Sequence, residues 1–107
     1  MRRAMAVIAG VAVLWAGQAI AADRESEFRG RRLAEANCYD CHALALDDES
    51  LDPRAPPFRE LALRPDVEAL RADMAGDLFA RHPEMPDFEP TSDQIDDLVD
   101  FIESLAP

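Results

Sequence analysis

The chain has no lysine, two cysteines, two histidines and one tryptophan among its 107 residues. All eleven cationic side chains are arginines, and 22 acidic side chains give a formal charge of −11 at pH 7. Because a nucleic-acid-binding surface has to present positive charge to phosphates, this composition argues against a nucleic-acid ligand. The few cysteines and histidines supply ligands for one metal site at most. Hydrophobic residues make up 49% of the chain, which argues against a disordered protein.

The first 21 residues have the three parts of a secretory signal peptide. Two arginines follow Met1, residues 4–20 carry no charge, and Ala21 ends a small-residue cleavage site. We predict that residues 1–21 are removed and that residues 22–107 form a single domain. An uncleaved membrane anchor is the alternative, because the uncharged run approaches the length of a spanning helix. Cleavage would remove two of the eleven arginines and leave a charge of −13.

The predicted mature domain, 86 residues long, is short of hydrophobic core. A chain of this size buries only about 60–65% of its unfolded surface. Small exported domains therefore usually add disulfides, a metal or a large cofactor. Cys38 and Cys41 are the only cysteines, and a disulfide that closes so short a loop would stabilise the fold little. We therefore expect a large apolar group to complete the core.

Residues 38–42 read Cys-Tyr-Asp-Cys-His, which is C-x-x-C-H, the attachment signature of c-type haem. Two thiols one helical turn apart can add to the two vinyl groups of one porphyrin edge. His42, beside the second cysteine, can then bring an imidazole nitrogen to the iron. We predict one haem c, bound covalently through Cys38 and Cys41. The alternatives are a redox-active disulfide, a zinc site that also uses His82, and a plain structural disulfide.

The second axial ligand of the iron is predicted from the methionines. The mature chain has Met74 and Met85. Met85 lies between Pro83 and Pro86, which fix φ and remove backbone donors, so this segment is a stiff loop that could hold a sulfur in one position. Met74 has the spacing of an ordinary packed helical face. We predict Met85 as the ligand, with His82, Met74 or an open iron site as the alternatives.

The remaining pattern predicts helices and loops, with no alternating strand pattern. Residues 25–37 are expected to form a helix that leads into the motif, and Gly30 in it leaves room for a close crossing. Thr91 and Gln94 match a capping box at the start of the last helix. The apolar residues on one face of that helix are Ile95, Leu98, Val99, Phe101, Ile102 and Leu105. Residues 43–58, which contain four acids and three prolines, are expected to be loop.

Together these features resemble the class I c-type cytochromes over residues 25–106. The resemblance implies an all-α small cytochrome c fold, in which the N- and C-terminal helices cross at Gly30 and helices and loops wrap around one covalent haem. It also implies that the backbone carbonyl of Pro56 accepts a hydrogen bond from the axial His42, which would orient the imidazole and raise its basicity.

Other side chains are candidates for the surroundings of the haem. The phenylalanines that could line the haem or belong to the ordinary core are Phe58, Phe79 and Phe88. The arginines that could pair with the haem propionates are Arg54, Arg59 and Arg81, and the sequence does not choose among them.

These predictions favour an electron carrier over an enzyme. His42 and Met85 would fill both axial positions of the iron and leave no place for a substrate. With a mature charge of −13, we expect a periplasmic monomer that docks briefly with redox proteins through their basic faces. Membrane contact is expected only if the signal segment is uncleaved. A haem c subunit or tethered module of a larger oxidoreductase is the alternative, followed by a haem sensor or peroxidase.

Overall fold

The computed structural model describes residues 23–82 and 88–107, and no strand occurs among them. The predicted signal peptide at residues 1–21 and the predicted ligand Met85 lie outside the described residues. Within the described ranges, no helix is both long and apolar enough to cross a membrane.

The described residues form helices joined by loops and turns. Helix α1 covers residues 23–37, and it is followed by α2 (Phe58–Ala62), α3 (Ala69–Ala75), α4 (Leu78–Arg81) and α5 (Ser92–Ser104). The predicted all-α class and the predicted first and last helices are confirmed. Helices α2 and α4 were not predicted, because elements of five and four residues are too short to show a helical period.

Helix α5 begins with the capping box that the sequence predicts. The side chain of Thr91 accepts a hydrogen bond from the Gln94 N–H at 3.2 Å, and the Gln94 side chain accepts one from the Thr91 N–H at 2.9 Å. Two backbone donors that have no partner within the helix are thereby satisfied. The predicted face is buried at Ile95, Leu98, Val99, Phe101 and Ile102. Leu105 follows the last turn as the C-cap and is half-buried.

Helices α1 and α5 cross in close contact at Gly30. A Cβ atom added at Gly30 would overlap the backbone carbonyl of Asp97 and lie 2.9 Å from Cβ of Phe101. Glycine is therefore required here for space rather than for an unusual backbone angle. Ala34, one turn later in α1, is fully buried in the same contact region. The predicted helix crossing is confirmed.

The buried core joins α1, the motif, α2 and α5. Its members are Ala34, Cys38, Leu44, Phe58, Leu61, Ala62, Leu98, Phe101 and Ile102. Helix α3 contributes no fully buried residue, and its Leu70 and Met74 pack only partly buried against this core. The packing around the motif is thus provided mainly by α1, α2 and α5.

Candidate haem-binding site

The C-x-x-C-H motif continues the path of α1 for one further turn. The Cys38 N–H donates to the Ala34 carbonyl at 2.8 Å, and the His42 N–H donates to the Cys38 carbonyl at 2.9 Å. Both bonds join residues four apart, as in an α-helix. The two cysteines and the histidine therefore belong to one turn, which is the arrangement that attachment to a single porphyrin edge requires.

The start of α2 leaves one backbone carbonyl available to the site. Pro57 is the N-cap of α2, and its carbonyl accepts hydrogen bonds from the N–H groups of Glu60 and Leu61 at 3.0 and 3.3 Å. The preceding carbonyl, that of Pro56, lies outside the helix. Pro57 has no N–H and an extended ψ of 144°, so the chain is not helical at Pro57 and α2 begins at the next residue, Phe58.

The available carbonyl is hydrogen-bonded to the histidine of the motif. His42 Nδ1 lies 2.8 Å from the Pro56 carbonyl oxygen. Since a carbonyl oxygen only accepts, Nδ1 carries a proton and donates it. In the neutral imidazole, the lone pair is then on Nε2, as a metal ligand requires. The bond also orients the ring and increases the basicity of Nε2. His42 is therefore suited to bind iron.

Phe58 connects this histidine to the core. Its ring centroid lies 5.3 Å from that of His42 and 6.3 Å from that of Phe101. The Phe58 N–H donates to the Ala43 carbonyl at 2.9 Å, which brings the start of α2 next to the motif. Phe58 is only 5% exposed and keeps water away from this side of His42. Its direct contact with haem stays a prediction.

Polar contacts that the sequence did not reveal hold the loop after the motif. The Asp52 N–H donates to the Cys41 carbonyl at 3.1 Å, and the Ala43 N–H donates to Ser50 Oγ at 3.0 Å. Arg59 donates to the Asp48 carbonyl at 2.6 Å. Nothing in the sequence distinguishes these residues from other polar loop residues. Their contacts keep the Pro56 segment beside His42.

The Cys38 thiol does not have the lowered pKa that a redox-active C-x-x-C uses. Both are free thiols, with Cys38 buried and Cys41 partly exposed. Burial, with a smaller contribution from the neighbouring Cys41, raises the pKa of the Cys38 thiol to about 11. A redox-active C-x-x-C needs a lowered thiol pKa, because the thiolate is the nucleophile. A Cys38 thiol that favours its protonated form is compatible with addition to a porphyrin vinyl group.

The zinc alternative also lacks support. In residues 23–82 and 88–107, no group of three or more histidine, cysteine, aspartate or glutamate side chains could hold a metal ion. A structural zinc site normally uses four such ligands.

The arginines considered for the propionates all have acidic partners in the protein. Arg54 forms a 3.0 Å ion pair with Asp52, and its hydrogen bonds hold the pKa of that carboxyl below its usual range. The other pairs are Arg59 with Asp48 at 3.5 Å and Arg81 with Asp77 at 2.9 Å. The structure therefore does not select one of them as a partner for a propionate.

The remaining candidates are divided between the core and the segment near Met85. Met74 packs against the core from α3, as its helical spacing predicts. Phe79 and Phe88 stand edge to face, with centroids 5.4 Å apart. This contact joins the two described stretches on either side of the Met85 segment. Whether Met85 binds the iron stays a prediction.

A comparison with known families decides the classification. The family model for cytochrome c matches residues 28–106, a span that includes most of α1, the motif, Pro56 and α5. The chain belongs to the cytochrome c family. No curated protein and no solved structure matches it. Its cofactor is accordingly haem c, attached covalently through the cysteines of the motif.

Membership indicates the general role of such proteins. Proteins of the family use haem for electron transfer, and they are generally electron carriers. They are also generally exported or membrane-associated. The free thiols and the Nε2 lone pair of His42 are the donor set that such a haem requires.

Proposed function

We propose that this cytochrome c is a periplasmic electron carrier that uses His42 and Met85 as axial ligands and passes single electrons between redox proteins. The observation that carries the proposal is the 2.8 Å hydrogen bond from His42 Nδ1 to the Pro56 carbonyl, which leaves Nε2 for the iron. When bound, haem supplies a one-electron redox centre whose iron alternates between the ferrous and ferric states.

The residues around the motif have separate roles in this proposal. Cys38 and Cys41 hold the porphyrin, and Pro56 keeps the axial imidazole in one orientation and tautomer. Phe58 shields His42 from water, and an apolar environment disfavours the additional charge of the ferric state. The thioether sulfur of Met85 favours the ferrous state as well. Both effects raise the reduction potential.

Ligation is tested with the full-length chain, produced together with a cytochrome c maturation system. The expected ferrous spectrum is that of a low-spin haem, and the ferric protein is expected to show the weak far-red band of sulfur bound to iron. Met85→Ala should abolish the band. Met74→Ala is the matched control and should retain it, because Met74 packs against the core. A wild-type haem protein without this band would contradict methionine ligation.

Acidic side chains support docking with basic partners. Asp40 within the motif, and Asp47 and Glu49 in the following loop, are all exposed. The mature chain is strongly acidic overall, and charge acts mainly on the rate at which transient partners meet. A partner with a basic docking face would therefore be attracted to the surface next to the site of haem attachment.

This part of the proposal is tested by the rate of electron transfer to a basic redox protein. The rate should fall as ionic strength rises, because salt screens attraction between exposed charges. Asp40→Asn should lower the rate at low salt. Asp73→Asn is the control, since it removes the same charge from the exposed surface of α3. A rate that rises with salt would contradict docking with a basic face.

A further inference from the structure

Arg59 is more enclosed than the other two arginines considered for the propionates. Its side chain is 29% exposed, against 73% for Arg54 and 59% for Arg81. The ion pairs of Arg54 and Arg81 join residues two and four positions apart in the chain. Arg59 instead reaches back to residues 11 and 14 positions earlier. Its contact therefore belongs to the tertiary structure and not to one local segment.

The guanidinium of Arg59 is directed at backbone. Its Nη1 donates to the Asp48 carbonyl at 2.6 Å, and it lies 3.4 Å from the Ala45 carbonyl oxygen and 3.5 Å from Asp48 Oδ1. Asp48 Oδ1 also accepts a hydrogen bond from the Ala45 N–H at 3.1 Å, which closes residues 45–48 into a turn. Because hydrogen bonds from a cation are stronger than neutral ones, Arg59 holds this turn firmly against the start of α2.

Two more hydrogen bonds join the same two stretches of chain. His42 Nδ1 donates to the Pro56 carbonyl at 2.8 Å, and the Phe58 N–H donates to the Ala43 carbonyl at 2.9 Å. The contact of Arg59 is the third in this series and follows directly after that of Phe58. The start of α2 therefore cannot move away from the loop after the motif without lengthening the bond at the histidine.

We propose that Arg59 is a positioning residue for the axial histidine. Its hold on the turn of residues 45–48 keeps the Pro56 carbonyl within hydrogen-bond distance of His42 Nδ1, and that bond sets the orientation and basicity of the ring. Arginine suits the role because its planar guanidinium can reach several acceptors at once, whereas lysine is a point charge. The inference rests on the proposed use of His42 as an iron ligand and gives a role to a residue that the proposed function leaves without one.

The test measures how fast the Nδ1 proton of His42 exchanges with solvent. The reduced full-length holoprotein, with its histidines labelled with nitrogen-15, is followed by nuclear magnetic resonance in heavy water. In Arg59→Met we expect exchange about tenfold faster, because loss of a hydrogen bond from a charged group lowers the cost of local opening. The Phe58 amide should exchange faster as well. Arg59→Lys should lie between the wild type and Arg59→Met.

Two controls separate positioning from a general loss of stability. Arg71→Met removes the same charge at the contact between α3 and α5 and should leave exchange at His42 Nδ1 unchanged. The amide of Val99, a fully buried residue of α5, is the internal control. In Arg59→Met it should exchange as in the wild type, since opening of the loop leaves α5 in place.

Two results would overturn the inference. One is exchange at His42 Nδ1 in Arg59→Met that equals the wild-type rate. The other is acceleration of His42 Nδ1 and the Val99 amide by the same factor, because Arg59 would then only stabilise the whole fold. If Arg59→Met does not mature, Arg59→Lys decides the matter: faster exchange than in the wild type supports the role, and an unchanged rate contradicts it.

Failure of the proposed function would be recognised separately in the wild-type protein. If His42 did not bind the iron, its ring protons in the reduced protein would lack the strong upfield shift that the porphyrin ring current gives an axial ligand. Failure of the proposed Met85 ligation would remove the far-red band and leave the exchange measurement at His42 as it is.

Discussion

The last helix, α5, is held to α1 and to α3 in different ways. Where α5 meets α1, backbone lies against backbone at Gly30, and Leu98 and Ala34 are buried almost completely. Where α5 meets α3, no residue of α3 is fully buried, and charged side chains make much of the connection. The first contact depends on shape and the second largely on charge.

Even the polar groups at the two contacts differ. At the crossing, Asp97 has a side chain only 13% exposed. Burial acts to raise the pKa of Asp97, but the hydrogen bonds from Arg29 and Ser26 outweigh it, so the pKa lies below its ordinary value. At the α3 contact, Arg71 bonds to Glu68 and Asp96 and lies 3.8 Å from Asp100, with its side chain 34% exposed.

This difference indicates how each contact responds to salt and pH. The apolar packing at the crossing does not depend on salt, and the contribution of the Arg29–Asp97 pair is lost at acidic pH, as pH falls through the lowered pKa of Asp97. Exposed ion pairs contribute little and are screened by salt. The contact between α5 and α3 is therefore expected to weaken more at high salt than the crossing of α5 with α1.

Substitution of Gly30 by alanine should have the largest effect, because it breaks the crossing directly. The new Cβ would overlap the Asp97 carbonyl, which is backbone and moves only if α5 moves. We expect a loss of about 3 kcal/mol in the free energy of unfolding, measured by denaturant titration. Gly76→Ala is the matched control, since its Cβ would lie 3.3 Å from the nearest atom, the Ala72 carbonyl oxygen. Equal losses in the two variants would contradict the close crossing.

Ser26→Ala should weaken the polar edge of the same crossing by a smaller amount. Ser26 Oγ lies 2.7 Å from both Asp97 Oδ1 and Asp100 Oδ2. Its loss removes a donor to charged oxygens, for which we expect about 1.5 kcal/mol. Thermal or denaturant unfolding at pH 7 measures the change. Ser92→Ala at the exposed start of α5 is the control, and a similar loss there would show that the effect is not specific to the crossing.

Arg71→Met tests the charged contact between α3 and α5. It leaves Glu68, Asp96 and Asp100 without their shared cation, so we expect a loss of about 1 kcal/mol at low salt. The loss should shrink at high salt because screening weakens the ion pairs of the wild type. Arg81→Met, which breaks a single exposed pair with Asp77, should cost less. A loss that does not change with salt would mean that Arg71 acts by packing alone.

The smallest change in the free energy of unfolding is expected from the carboxyls of Glu68 and Glu103, which interact at the α3 contact. A hydrogen bond with Glu68, followed by burial and the charges of Glu68 and Asp100, raises the pKa of Glu103 to about 7. A raised carboxyl pKa means that the folded state favours the protonated form, so this contribution is present at low pH and is lost as pH rises towards and through 7. We expect a loss below about 1 kcal/mol, since solvent screens the pair.

Glu103→Gln should remove this part of the pH dependence, because glutamine keeps a donor but does not titrate. Unfolding measured between pH 5 and 8 should show a smaller decline with pH in the variant than in the wild type. Glu60→Gln on the exposed side of α2 is the control and should decline like the wild type. An unchanged decline in Glu103→Gln would contradict the raised pKa of Glu103.

Prediction from sequence succeeded where the pattern is local. The capping box of Thr91 and Gln94, the buried face of α5 and the helix before Cys38 all depend on residues within a few turns of one another. Gly30 was predicted as a crossing point, and the structure shows the backbone contact that requires it. Helices α2 and α4 were not predicted from the sequence, because five and four residues are too few to show a helical period.

The candidate site shows the same division. The sequence by itself determined the chemistry, since C-x-x-C-H places two thiols and an imidazole in one turn whatever surrounds them. The resemblance implied the bond between His42 and Pro56, and the tertiary structure shows that Nδ1 is the nitrogen that makes it, with a carbonyl 14 residues away. It also decided that His82 and His42 line one cavity and that Arg71 joins α3 to α5. Such contacts follow from packing of the whole chain, and no local spacing encodes them.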